Sequence, residues 1–61
     1  SQIGKAALAI VSAHFKPGSH LQGSALRETI DQLEIVDTTI PRRAIAQAVF
    51  GLVEDDRLFI D

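Results

Sequence analysis

Two adjacent arginines and a glutamine one turn later are the residues of this chain best suited to binding chemistry. Arg42 and Arg43 open a segment with helical periodicity, and Gln47 follows on the same exposed arc. A guanidinium group can pair bidentately with a phosphate or a guanine edge, and a glutamine amide can pair with adenine. An arginine at a helix N-terminus opposes the helix dipole, so a phosphate or a nearby carboxylate must compensate. The residues therefore predict either nucleic-acid contact or ion pairs with Asp31 or Asp37.

Two histidines and an acidic run are weaker candidates for metal or catalytic chemistry. His14 lies in the apolar stripe of the first predicted helix, where we expect it to be partly buried and hydrogen-bonded. His20 follows a Pro-Gly turn, and no third ligand stands at a recognisable spacing. Residues 54–56 are acidic but straddle a helix end and a turn, which favours a solvated turn over metal-assisted catalysis. We predict no catalytic residue, no metal site and no cofactor.

Length and composition limit the class of protein. A chain of 61 residues buries only about 60% of its unfolded surface and has little room for a catalytic cleft. Without cysteine it can form neither disulfides nor thiolate metal sites, which fits a reducing compartment. No apolar run is long enough to span a bilayer. We expect a cytoplasmic, non-enzymatic domain without membrane contact or small-molecule substrate, excised from a longer protein.

The net charge of −2 argues against strong non-specific binding to nucleic acid. The charge is unevenly distributed, because acidic clusters lie on both sides of the arginine pair. These clusters contain Asp31, Glu34 and Asp37 before it, and Glu54, Asp55 and Asp56 after it.

Two amphipathic segments precede the arginines. The first predicted helix covers residues 2–15 and ends at the Pro-Gly turn in residues 16–19. Its expected core face contains Ile3, Ala7, Ile10, Val11 and His14. The second predicted helix follows a cap at Gly23 or Ser24. Its apolar stripe is Leu26, Ile30 and Leu33, and residues 34–38 are a predicted connector.

The third predicted helix carries the arginines. Thr39 is the expected N-cap, the helix begins near Ile40, and Pro41 lies in its first turn. The expected core stripe is Ile45, Ala48, Val49 and Leu52, opposite an exposed arc of Arg42, Arg43, Ala46, Gln47 and Phe50. A turn at 55–56 leads to a strand at 57–60, which can pair with a short extended segment at 20–22.

This order of helix, strand, helix, helix and strand resembles the winged helix-turn-helix superfamily. The match lies in Ile-Pro-Arg-Arg-Ala-Ile at 40–45, followed by Leu-Val-Glu-Asp-Asp-Arg-Leu at 52–58. The resemblance implies a mainly α fold: one three-helix winged-helix-like domain over residues 1–61, with a short two-stranded β element. The chain departs from the family pattern at Asp56, where glycine is common. Residues 1–61 contain no second wing strand, so the wing is either absent or continues after Asp61.

The resemblance also implies a function. The third helix, about residues 40–54, would be a recognition helix in the DNA major groove, as in transcription regulators that usually dimerise. Arg42, Arg43 and Gln47 would contact DNA, and Arg27 and Lys16 would touch phosphates beside it.

Surplus apolar residues support an alternative. A three-helix core poorly accommodates Leu8, Ile35, Val36, Phe50, Val53 and Phe59. We expect Phe50, Val53, Phe59 and Leu8 to contact a protein partner or a second copy. The alternative function is a winged-helix protein-interaction or accessory module within a larger DNA-processing protein, since the first two helices loosely resemble segments of conjugative relaxase-helicases. A third possibility is a purely structural helical bundle segment, which would be supported if residues 58–60 were helical and did not pair with residues 20–22.

Overall fold

Three helices and a two-stranded sheet form the fold, in a computed structural model that describes all of residues 1–61. The elements in chain order are α1 (Gln2–His14), β1 (Ser19–Leu21), α2 (Leu26–Val36), α3 (Arg42–Glu54) and β2 (Leu58–Ile60), with a 3₁₀ turn at Gly23–Ala25 before α2. The mainly helical class and the number of elements predicted from the sequence are confirmed.

Helix α1 has a side-chain cap at its start and ends before the predicted Pro-Gly turn. The hydroxyl oxygen of Ser1 accepts a hydrogen bond from the amide of Gly4 at 3.0 Å, which caps the first turn. Phe15 is extended and ends the helix. Gly18 then adopts a positive φ of 83°, a conformation that glycine reaches without steric cost. The reversal brings the chain back towards β2.

The bounds of α2 differ from the prediction at both ends. A 3₁₀ turn precedes it, so Ala25 occupies the cap position without a side-chain cap, where we expected Gly23 or Ser24. The helix also runs to Val36 through much of the predicted connector. Glu34, Ile35 and Val36 can all continue a helix, and the break comes only at Asp37, which is extended.

The start of α3 also differs, because Asp37 binds the expected capping residue. A carboxylate oxygen of Asp37 accepts hydrogen bonds from the Thr39 amide at 2.9 Å and the Thr39 hydroxyl at 2.6 Å. These bonds, the hydroxyl first, hold the pKa of Asp37 below its ordinary value of 3.8. Thr39 is thus held in the turn before the helix, and the extended Pro41 takes the cap position before Arg42.

The core lies where α1 and α2 pack against α3. On α3, the predicted core residues are all buried, so that prediction is confirmed, and Ala44 is buried in addition. The buried apolar residues are Ala7, Val11, Phe15, Ile30, Leu33, Ile40, Ala44, Ile45, Ala48, Val49, Leu52 and Leu58. Ile3 was predicted in the core but is 47% exposed; it lies in the first turn of α1, in an open depression beside the start of α3.

The two strands pair in parallel, with His20 opposite Phe59. The predicted pairing is confirmed, although β1 begins one residue earlier than expected. Asp56 supplies the preceding turn with a φ of 57°, a left-handed conformation that aspartate adopts more readily than most residues other than glycine. Leu58 is fully buried and fixes the sheet to the helices. The strand at residues 58–60 contradicts the purely helical alternative.

Candidate nucleic-acid interface

Four residues of α3 form an exposed stripe on the side away from the core. Arg43, Gln47, Phe50 and Glu54 are all exposed. Their spacing of four, three and four residues places them within about 60° of one another around a helix that turns about 100° per residue. We call these four residues the α3 stripe. It begins with a cation, ends with an anion and carries an aromatic ring between them.

Arg42 does not belong to the α3 stripe, because α2 binds it. Its Nη1 atom lies 2.5 Å from Oδ1 of Asp31 and 3.3 Å from Oε2 of Glu34. The hydrogen bond to Asp31, with the attraction of both carboxylates, raises the pKa of the guanidinium above its ordinary value. The predicted ion pair with Asp31 is present, whereas Asp37 is not a partner. We missed Glu34, although its spacing of three from Asp31 puts both carboxylates on one face of α2.

Arg43 is exposed and takes part in no ion pair. It lines a shallow depression of about 410 Å³ together with Gln47, Ala44 and the first residues of α1. The structure thus brings Arg43 and Gln47 together and places Arg42 on the opposite flank of α3. Arg43 is the cation of this helix that is free to bind an external anion.

The two predicted phosphate contacts lie on other elements. Arg27 is exposed in the first turn of α2, and Lys16 is exposed just after α1. Neither forms an ion pair, and neither lines the depression beside Arg43.

A groove of small residues runs beside the α3 stripe. It has a volume of about 250 Å³ and is lined by Gly4, Leu8, Ala44, Gln47, Ala48 and Gly51. Leu8 is 45% exposed on its α1 side, and Phe50 is 52% exposed on the stripe. Of these two predicted interface residues, Leu8 lines the groove, whereas Phe50 lies on the α3 stripe and does not line it.

The other two predicted interface residues do not join this groove. Val53 is half-buried and packs against the core. Phe59 lies on the sheet, where its ring stacks on His20 with centroids 5.1 Å apart. Ile35 and Val36 are exposed at the end of α2, so the apolar surplus is divided among separate surfaces.

The histidines occupy different surroundings from those expected. His14 is exposed, and its ring is nearly perpendicular to that of Phe15 with centroids 4.7 Å apart. The prediction of a partly buried, hydrogen-bonded His14 is therefore wrong. It is the last residue of α1, and Phe15 takes the buried place. His20 lies 3.1 Å through Nδ1 from both carboxylate oxygens of Asp61, a pair created by the strand register. No group of three or more His or acidic residues is arranged to hold a metal ion.

No protein-family model, curated protein or solved structure matches the chain. The three helices and small sheet are compatible with the shape of a winged helix. None of the helices combines the length and apolar character needed to cross a membrane.

Proposed function

We propose that this chain is a winged-helix DNA-binding domain in which α3 enters the major groove. One observation carries the proposal: Arg43 and Gln47 lie side by side, exposed and free of ion pairs, at the start of a helix that packs on a two-helix scaffold. An arginine fork and a glutamine amide at this position match the edges of guanine and adenine. In this proposal, the domain acts in a cytoplasmic regulator of transcription.

The two arginines have different roles in this proposal. Arg43 contacts a phosphate or a guanine edge, and Gln47 contacts a base further along the groove. Arg42 is a positioning residue, since its bonds to Asp31 and Glu34 join the start of α3 to α2. Arg27 and Lys16 supply peripheral phosphate contacts that add affinity without sequence preference.

The test compares Arg43→Ala with Arg42→Ala. Binding to a random-sequence 30-base-pair duplex pool is measured by fluorescence anisotropy over a series of salt concentrations. Loss of one direct contact should weaken binding by about tenfold and reduce the slope of log affinity against log salt by about 1. Arg42→Ala should keep that slope and lower the melting temperature, because it breaks only the contact with α2.

An unchanged affinity and salt slope in Arg43→Ala would exclude the proposed contact. Reduction of the salt slope by Arg42→Ala alone would reverse the assignment of the two arginines.

A second candidate function is a protein-interaction module. The exposure of Phe50 at 52% in the middle of the α3 stripe favours it, as does the net charge of −2. Heparin chromatography at moderate salt separates the two functions, because a DNA-binding domain should be retained and an acidic interaction module should flow through. Phe50→Ala should reduce partner binding more than DNA binding in the second case.

A further inference from the structure

The order of side chains along the α3 stripe is self-complementary in the antiparallel direction. If a second α3 lies antiparallel on the first about a twofold axis, Arg43 faces Glu54 of the second copy and Gln47 faces Phe50 of the second copy. Each contact then occurs twice, as in an isologous interface. We infer that the α3 stripe is a dimer interface and that its occupant is a second copy of this chain.

Charge gives the first support. Arg43 is in the first turn of α3 and Glu54 is its last residue, so each charge lies at the unfavourable end of its own helix dipole. The antiparallel partner reverses this arrangement. Arg43 then lies near the negative C-terminal end of the second helix, and Glu54 near the positive N-terminal end. Neither residue has an ion pair within its own chain, so both are free to form this one.

The surface beside the stripe gives the second support. Phe50 is an exposed aromatic ring, and Gln47, the residue it faces across the axis, lines the groove formed with Gly4, Leu8, Ala48 and Gly51. A Phe50 ring from the second copy can lie along this groove, where small residues permit close approach of the helices. Central aromatic anchors in pockets with charged residues at the rim are the usual anatomy of a binding hot spot.

Dimerisation would cover the residues proposed to bind DNA. Arg43 and Gln47 belong to both surfaces, so the dimer and a DNA complex exclude one another. This competition rests on the proposed function, whereas the dimer itself does not.

The experiment is a charge swap followed by analytical ultracentrifugation at low salt. The unmodified chain should show a monomer–dimer equilibrium. Arg43→Glu alone and Glu54→Arg alone should each raise the dimer dissociation constant about tenfold or more by placing like charges together. The double variant should restore it to within about threefold, because the pair is rebuilt with reversed sign. Both positions are exposed, and circular dichroism checks that each variant is folded.

Two controls make the result specific to this interface. Arg27→Glu makes the same charge change on α2 and should leave the dissociation constant unchanged. Phe50→Ala should weaken the dimer without altering charge.

The inference fails if the unmodified chain remains monomeric at millimolar concentration, if the double variant is no tighter than the single variants, or if Arg27→Glu is as disruptive as Arg43→Glu. A monomeric chain that loses DNA affinity through Arg43→Ala would overturn the dimer and leave the DNA-binding proposal standing. A chain that forms a dimer sensitive to the charge swap but does not bind DNA would overturn the DNA-binding proposal and leave the dimer standing.

Discussion

Adjacent identical residues take different roles here because a helix turns about 100° between them. Arg42 points to the carboxylates of α2, while Arg43 points to solvent on the α3 stripe. The sequence predicted that carboxylates compete with a nucleic acid for the pair. The sequence could not show which of the two arginines forms the ion pair, because that depends on how α2 packs beside α3.

The turn before α3 provides a prediction at the scale of one hydroxyl group. Thr39→Val removes the strongest hydrogen bond to Asp37 and keeps the amide bond. The pKa of Asp37 should therefore rise towards 3.8, which carboxyl-carbon NMR titration can measure. Thr38→Val is the matched control, since that neighbouring side chain forms no hydrogen bond with the carboxylate and should leave the pKa unchanged. Equal shifts in both variants would contradict the assignment.

The same carboxylate links stability to pH. Its pKa is lowered in the folded state, so its contribution is complete above the unfolded value and is lost as pH falls through the folded pKa. Thermal melts of the unmodified chain should therefore lose stability below about pH 4 more steeply than melts of Thr39→Val. If the two proteins lose thermal stability equally as the pH falls, the Thr39 hydroxyl bond does not contribute to the pH dependence of stability.

Two glycines in different elements should respond oppositely to alanine. Gly51 lies within α3, and an added Cβ there would meet nothing within 4 Å. Gly51→Ala should stabilise the fold by about 0.5–1 kcal/mol through the backbone entropy of the unfolded chain. Gly18 is equally open but has a φ of 83°, so Gly18→Ala should destabilise by about 1–2 kcal/mol. Urea titrations give both values, and changes of the same sign would contradict the backbone argument.

The elements show which features a sequence can determine. The core stripe of α3 follows from its periodicity, and the turn at residues 55–56 from local residue preferences; both predictions are confirmed. The predicted cap of α3 at Thr39 is wrong, because the helix begins at Arg42 and Thr39 instead bonds to Asp37 in the preceding turn; several local hydrogen-bond patterns compete for such residues. Of the candidate site, the exposure of Arg43, Gln47 and Phe50 was predictable, but the groove from α1 beside them required the tertiary structure.

At the scale of the whole molecule, the small sheet links the segment after α1 to the segment after α3. β1 follows α1 and β2 follows α3, and their parallel pairing connects segments about forty residues apart. Leu58 is the buried member of β2 and touches the only core of the domain. A fold this small has little stability to lose, because a single core of this size rarely supplies more than about 3–5 kcal/mol.

Replacement of Leu58 should therefore unfold most of the protein. Leu58→Ala is expected to cost about 2–5 kcal/mol, since the side chain is fully buried and leaves a cavity. Ile60→Ala is the matched control on the same strand: Ile60 is 36% exposed, and the loss should be about 1 kcal/mol. Circular dichroism during urea titration should show helix loss in Leu58→Ala at or near zero denaturant and a small shift for Ile60→Ala. If Leu58→Ala keeps all its helices and the urea midpoint of the unmodified chain, α1, α2 and α3 are stable without the sheet. In that case β2 does not contribute to the core.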